Sequence, residues 1–524
     1  MTPVNYPVWQ LAMGGGPLVA LVAVTHVFVS HFAVGGGLFL VFAERRARAS
    51  GDAALLAWVR RHSAFFAKLT LVFGALTGVG IWFTIGLVHP AATSALLHTF
   101  LWVWAIEWVF FAVEIAASLL YAASWDRVDA GTHLAIGWVY FVAAFLSLFA
   151  VNGILAFMFT PGEWLRTHAL ADAFWNPTFW PSLVVRSLTA VAFAGLYVFA
   201  TAWRAEPALR PRLARLGAWW ALPATAAGPA AAWFWFERAP GGTSIVDGGA
   251  ADRVVAAVHA LRMSVAAAVL YALLLALVAW LAPRRPRIVS LPVGLALLVL
   301  GYASIAGGEL VRESARKPFV LGNPSGGHLY VNGLGPEETA AARRDGLLAH
   351  ARWVKPGPPS EAGAEMFRVA CSGCHTVQGY RGIRAKVDGR SVAAIEQMVR
   401  TLDQRGRMPP FPGTDADAKV LARWLAGLDG VVEPESGAAP GDVAALGEKV
   451  MTDFCLSCHT LDGKANPLRP KLDRARFGTE AEAYRSIGRL QELNANMILE
   501  FSGTDEERHA LARHLASLAT GVRP

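Results

Sequence analysis

Cysteine is scarce in this chain, four residues among 524, and all four fall in two short motifs, which leaves none for a disulfide. Charge is scarce as well: 16% of residues are Asp, Glu, Lys or Arg, against 54% hydrophobic. With a mean hydropathy of +0.40, this composition excludes an ordinary soluble enzyme and describes a membrane protein with a soluble part. No stretch alternates apolar and polar residues as a half-buried strand does, so the expected fold is all-α. Residues 1–17 carry neither a basic start nor a small-residue cleavage site before the first apolar run, so that run is expected to remain as an anchor. The net charge of +8 is no sign of nucleic acid, because the arginines gather in short loops between apolar segments.

Runs long enough to cross a hydrocarbon core of ~30 Å lie at Leu18–Phe42, Leu69–Val88, Phe100–Tyr121, Leu134–Phe159, Trp180–Ala202, Leu216–Phe236, Val254–Ala282 and Ile288–Gly308. They predict an eight-helix transmembrane bundle set in lipid. The connection after the first run holds Arg45, Arg46, Arg48, Arg60 and Arg61. The one after the fifth holds Arg204, Arg210, Arg212 and Arg215, and the one after the seventh Arg284, Arg285 and Arg287. The alternate connections are nearly free of basic residues. By the positive-inside rule the arginine side is cytoplasmic, which puts both termini on the outer side.

The soluble part states its chemistry twice, as Cys371-Ser-Gly-Cys374-His375 and Cys455-Leu-Ser-Cys458-His459. In a C-x-x-C-H motif the two thiols reach the two vinyl groups of one haem and the imidazole ligates its iron. Gly363 and Gly447 each lie eight residues before the first cysteine. Met408 and Met497 follow in similar settings before a Gly-Thr-Asp, and a thioether opposite histidine is the cytochrome c axial pair. A four-cysteine zinc site is the rival reading; the long gap between pairs, the histidine after each and the repeated methionine weigh against it. Two covalent haem c groups are therefore expected, carried by two small helical cytochrome c domains at 358–430 and 441–524. A cap or linker at 321–357 and a linker at 431–440 would separate them from each other and from a membrane domain at 1–320. Attachment of c-type haem outside the cytoplasm agrees with the arginine pattern and implies a bacterial inner membrane with the haem domains periplasmic.

Ionisable groups inside spans are costly and point to function. They are His26 and His31 in span one, Glu107 and Glu114 in span three, Arg186 in span five, and His259 and Arg262 in span seven; the eighth ends at Glu313 and Arg316. Glu107 and Glu114 are two turns apart on one helix face, ~10 Å along the axis, as in a proton file. The plainer reading makes both of them paired structural carboxylates.

At these residues the chain resembles subunit I of the cytochrome bd quinol oxidases. Span one, from Thr25-His26 to Glu44, is similar to the family's opening helix, whose histidine is a haem ligand. Span three, with Ala105-Ile106-Glu107, Glu114 and then Trp125-Asp126-Arg127, is similar to the helix that carries its ligand and proton-channel glutamates. The run Asn152-Gly153 with Pro161 beyond it, and Gly308-Glu-Leu-Val-Arg-Glu313-Ser-Ala-Arg316-Lys-Pro318-Phe319, resemble further family motifs.

The resemblance implies that His26, Glu107 and Glu313 line a pair of high-spin haems of b or d type, with Glu114 supplying protons. Arg186 and Arg262 either neutralise haem propionates or pair with the glutamates, and Arg316 belongs to the same cofactor-binding set. It also implies a homologous second subunit or other membrane subunits. Span five, however, offers Arg186-Ser-Leu-Thr where the family places a low-spin haem histidine. The long quinol loop after span six is missing, and the haem domains replace a ninth span. The c haems are then the expected electron port, fed by a cytochrome or quinol partner, in a respiratory protein that passes electrons to membrane haems for dioxygen reduction. The alternatives are a membrane electron conduit without oxygen chemistry and a haem-free scaffold carrying a dihaem cytochrome c.

Overall fold

The computed structural model describes residues 11–238, 251–320, 336–351, 357–388, 390–402, 410–428, 443–456, 459–462, 467–493 and 503–521, with the single positions Trp9, Val354, Met408 and Phe501. Among them the chain is helical, with one isolated bridge, Thr460 to Pro467, in place of any strand. It divides into two compact units. One comprises Val19–Ile85 and Ser94–Val320, the other Met1–Leu18, Gly86–Thr93 and Leu321–Pro524.

The first unit is built from long apolar helices: α1 Gly15–Ala49, α2 Ala53–Val88, α3 Leu101–Ala123, α4 Ala130–Phe157, α5 Phe179–Ala202, α6 Arg210–Glu237, α7 Ala251–Leu281 and α8 Leu291–Val320. In hydrocarbon every backbone group must bond within its own segment, and a helix does this. Seven of the eight have the length and apolarity to cross a membrane. The exception is α6, whose run after Arg215 is diluted by tryptophan, glycine, threonine and Pro223 and Pro229, yet it stays helical over 28 residues. It lies against α5 at closest range where two glycines meet: a Cβ on Gly195 would stand 2.4 Å from the Gly217 carbonyl oxygen.

Helix α1 is the centre of this unit. Its run Gly35-Gly36-Gly37 costs helix propensity, about 1 kcal/mol per glycine relative to alanine, and each position is used. A Cβ at Gly35 would strike the Ala190 carbonyl on α5, one at Gly36 the Phe66 ring on α2, and one at Gly37 the Tyr140 ring on α4. Phe32 and Tyr197 stack beside this crossing with centroids 3.9 Å apart. The outer faces carry large exposed apolar side chains, among them Leu101, Trp102 and Trp108 on α3 and Leu273 and Trp280 on α7, as a lipid-facing surface would.

The second unit repeats one small design. Helix α9, Pro336–Asp345, precedes α10 Ala362–Ala370, α11 Val392–Arg400 and α12 Asp415–Gly427; then come α13 Val443–Val450, α14 Glu480–Ile487 and α15 Asp505–Thr520. Helices α12 and α15 both begin in a capping box, Thr414 with Asp417 and Thr504 with Glu507, so the two Gly-Thr-Asp segments do start helices, as their N-cap chemistry predicts. Gly363 and Gly447 have the same task. A Cβ at Gly363 would lie 2.4 Å from Trp424 Cβ on α12, and one at Gly447 2.3 Å from the Ala510 oxygen on α15. Each glycine thus lets the helix that leads into a C-x-x-C-H motif cross the helix that closes its domain.

Gly447→Val should therefore destabilise the second haem domain by about 1–3 kcal/mol, the usual cost of overpacking, read as a lower melting temperature of c-haem absorbance. Gly427→Ala in the first haem domain, where a Cβ meets nothing within 4 Å, should leave the melting temperature of that domain unchanged or raise it.

Candidate functional site

In the first haem motif the backbone turns tightly after α10. The His375 amide donates to the Cys371 carbonyl at 2.9 Å, and the repeat is the same, His459 to Cys455 at 3.0 Å. His375 Nδ1 lies 2.9 Å from the Arg381 carbonyl. A carbonyl only accepts, so Nδ1 carries the proton and Nε2 keeps its lone pair for a metal. Burial holds this imidazole below its usual pKa, so it stays neutral, as a ligand must. Burial, and then the neighbouring Cys374, pushes the Cys371 thiol up to about 12. Met408 is half-buried, and Met398, also half-buried, packs against the apolar core of the domain. These residues fit a covalent c haem. Cys455 and His459 are described and partly buried, while Cys458 and Met497 lie outside the described residues.

The two motifs are tied by a residue that no motif or spacing marks out. Arg390 is 5% exposed. Its Nε donates to the Lys386 carbonyl at 2.8 Å, and its Nη1 reaches into the second motif, to the carbonyls of Leu456 and, at 2.8 Å, of His459. Ala394, on the helix that follows, belongs to the apolar cluster of the second domain.

In the first unit, His26 Nδ1 lies 3.1 Å from Thr77 Oγ1 on α2, and that hydroxyl donates to the Phe73 carbonyl at 2.7 Å. With its proton committed there, Thr77 accepts from Nδ1, and His26 Nε2 is left with a free lone pair. His31, 3% exposed, donates from Nδ1 to the Val27 carbonyl at 2.7 Å and is in the same tautomer.

Arg186, 5% exposed, faces Glu309 at 3.8 Å, and Arg312 Nε donates to the same carboxylate at 2.7 Å. His31 lies within Coulomb reach of Arg186, Glu309 and His26, and Arg312 within that of Glu313. Arg186 Nε and Arg312 Nη1 are buried donors without a partner among the described residues. An imidazole with a free nitrogen beside two guanidinium groups with spare N–H bonds suits a metal porphyrin with anionic propionates.

The remaining predicted groups sit apart from these. Glu107 accepts from Ser147 Oγ on α4 at 2.8 Å, and Glu114 from Tyr140 OH at 3.0 Å. No hydrogen bond among the described residues links His26 to Glu107. Arg262, His259 and Met263 are exposed, so of the pair Arg186 and Arg262 only Arg186 faces the buried cluster. The side chain of Arg316 lies outside the described residues.

The bd-like motif assigns its roles to Glu313 and Arg316 and none to Glu309 and Arg312. Their spacing of three, one turn of a buried helix, is the signal that could have found them. Ser147 and Tyr140 carry no sequence signal beyond a polar group within an apolar run.

Residues 358–425 match the family described as cytochrome C oxidase, cbb3-type, subunit III. This segment is a cytochrome c domain. The second C-x-x-C-H motif lies beyond that match and repeats its frame. No curated protein sequence matches the chain. Among solved structures, the bd oxidase from Geobacillus thermodenitrificans is similar with a TM-score of 0.48 and 16% identity, over 60% of this chain and 89% of that one. A cytochrome c domain on a chain with seven membrane-capable helices among its described residues makes this a membrane haem protein of electron transfer.

Arg390→Ala should strand the Leu456 and His459 carbonyls and cost about 1–3 kcal/mol, the penalty for unsatisfied buried acceptors. The expected readout is a lower unfolding midpoint of the second haem domain, with Arg390→Lys recovering part of it. Unchanged midpoints in both variants would mean that the arginine does not hold the motif.

Proposed function

We propose that this protein is a bd-oxidase-like respiratory subunit that takes electrons at two outer c haems and delivers them to non-covalent haems in its membrane half, where dioxygen is reduced. Bound c haem supplies one-electron transfer, and a b- or d-type haem supplies the oxygen site. The observation that carries the reading is the pairing of a cytochrome c domain with His26, whose Nδ1 is held by Thr77 so that Nε2 is free.

His26, Glu107 and Glu313 would hold the membrane haems. Arg186 and Arg312 would receive their anionic groups, and Glu114 and Glu107 would bring protons from the side of the arginine-rich loops. On that orientation both termini and the haem domains are periplasmic, in a bacterial inner membrane. The exposed apolar faces would meet lipid and a second membrane subunit, and a cytochrome or quinol-linked protein would be the donor.

A conduit without oxygen chemistry is the second reading, and one observation favours it. Where the resembled family has a low-spin haem histidine on span five, this chain has Arg186 facing Glu309, and an electron route lacking that haem need not end at oxygen.

Purified protein should show two c haems and at least one non-covalent haem by pyridine haemochrome, and should take up oxygen with a reduced c-type donor. His26→Ala should lose non-covalent haem while keeping both c haems, and Glu114→Gln should keep all haems and lower oxygen uptake by about tenfold or more. A preparation with c haems alone would end the oxidase reading, and a full haem complement without oxygen uptake would decide for the conduit.

A further inference from the structure

The polar pairs between α3 and α4 continue beyond the two that the proposed function uses. Glu107, Glu114 and Tyr121 stand seven residues apart along α3, and Ser147, Tyr140 and His133 seven apart along α4. The helices run antiparallel, so Ser147 meets Glu107, Tyr140 meets Glu114, and His133 meets the Tyr121 carbonyl. Seven residues are two turns, ~10 Å, so the rungs are evenly spaced down the helix pair.

At the third rung α1 adds Glu44. Its carboxyl accepts from Tyr121 OH at 2.7 Å and from Arg48 Nε at 2.7 Å, and His133 Nδ1 lies 2.9 Å from both of its oxygens. His133 Nε2, 3.1 Å from the Tyr121 carbonyl, must donate there. The proton between Nδ1 and Glu44 is then the movable one: imidazolium facing carboxylate and imidazole facing carboxylic acid differ only in where it sits. Glu44 and His133 are fully buried, while the Arg48 side chain is 27% exposed. Arg48 thus carries the cluster to the same aqueous end as the exposed pair Arg60 and Asp126.

Between Tyr121 and Tyr140 lies a cavity lined by these two rings, Ser63, Ser118, Ala67 and Gly137, with about 10 Å³ open to the centre of a water molecule, room for one. Ser118 Oγ, on a residue 3% exposed, has no partner among the described residues, and a water there would give it one. On the far side Tyr140 OH lies 3.0 Å from Glu114 Oε1 and 3.1 Å from the Ala33 carbonyl. Its single proton can point to either, so the hydroxyl can take a proton from one side and give one to the other.

We propose that Glu44, His133 and Tyr121 form a proton intake that passes protons, through a water held at Ser118, to Tyr140 and Glu114. This rests on the reading of Glu114 as part of a proton file and gives that file its aqueous end. The test needs neither electrons nor oxygen. In the full haem-loaded protein in liposomes, the carboxyl band that Glu114→Gln removes from the infrared spectrum is followed after a jump into D2O.

Ser118→Val, which fills the cavity, and Tyr121→Phe, which cuts the link to Glu44, should each slow deuteration of that band by about tenfold or more. Haem spectra should stay as in the unsubstituted protein. Ser118→Ala removes only an unpaired hydroxyl, so it should fold normally and also slow exchange. Deuteration as fast in all three variants as in the unsubstituted protein, or no Glu114 band at all, would overturn the intake. A protein that shows the slowing yet consumes no oxygen would overturn the oxidase reading and leave the intake standing.

Discussion

An ionisable side chain inside an apolar bundle is tolerable only where another helix supplies its partner, because an unpaired buried charge costs several kcal/mol. The membrane half of this protein obeys that constraint. Glu44 on α1 is met by His133 on α4 and Tyr121 on α3; Glu309 on α8 is met by Arg186 on α5 and by Arg312 one turn further along α8; Glu107 and Glu114 on α3 are met from α4. These bonds pin the register of the helices they join, something apolar packing against lipid does poorly. The same bonds that pay for burial are the ones able to carry protons, since a carboxyl held by a hydroxyl or an imidazole can exchange its proton without moving.

The haem half rests on a different device, used twice. In each domain a glycine allows two helices to cross at backbone distance, and the C-x-x-C-H motif follows at the end of the first helix. The crossing fixes where the motif begins, and the Nδ1 bond from His375 to the Arg381 carbonyl fixes how the imidazole is turned. The first domain lends Ala394 to the core of the second, and the buried Arg390 just before that helix reaches the carbonyls of the second motif, so the two domains are joined at this one helix.

Much of this could be read before any coordinates. The C-x-x-C-H motifs announce themselves by spacing, and the capping residues and the two glycines fell where the repeat placed them. The spans were visible from apolar length, although α6, with its two prolines, shows that length in a run is a looser guide than the helix it becomes.

Partnership was not legible. The sequence marks Glu107 and Glu114 as unusual but cannot say that Ser147 and Tyr140 face them, because the pairing belongs to the α3–α4 register. It marks Arg186 and Arg262 alike, and only packing shows one turned to Glu309 and the other outward. In the sequence Glu44 is only the end of a resembled helix; that it sits at zero exposure between a tyrosine and a histidine depends on three helices meeting.

Helix α1 takes part in both networks of the membrane half. His31 on it faces the arginine and glutamate cluster, while the Ala33 carbonyl and Glu44 serve the rungs of α3 and α4. Between these positions stand the three glycines, where α2, α4 and α5 come closest to the helix. Larger residues there would push α4 and α5 outward, lengthening the Tyr140 bond to Ala33 and separating Arg186 on α5 from His31. The helix therefore accepts a poor local sequence at its middle in order to hold both networks at fixed distance. A change at one network has a short mechanical route to the other, through a rigid rod gripped on several sides.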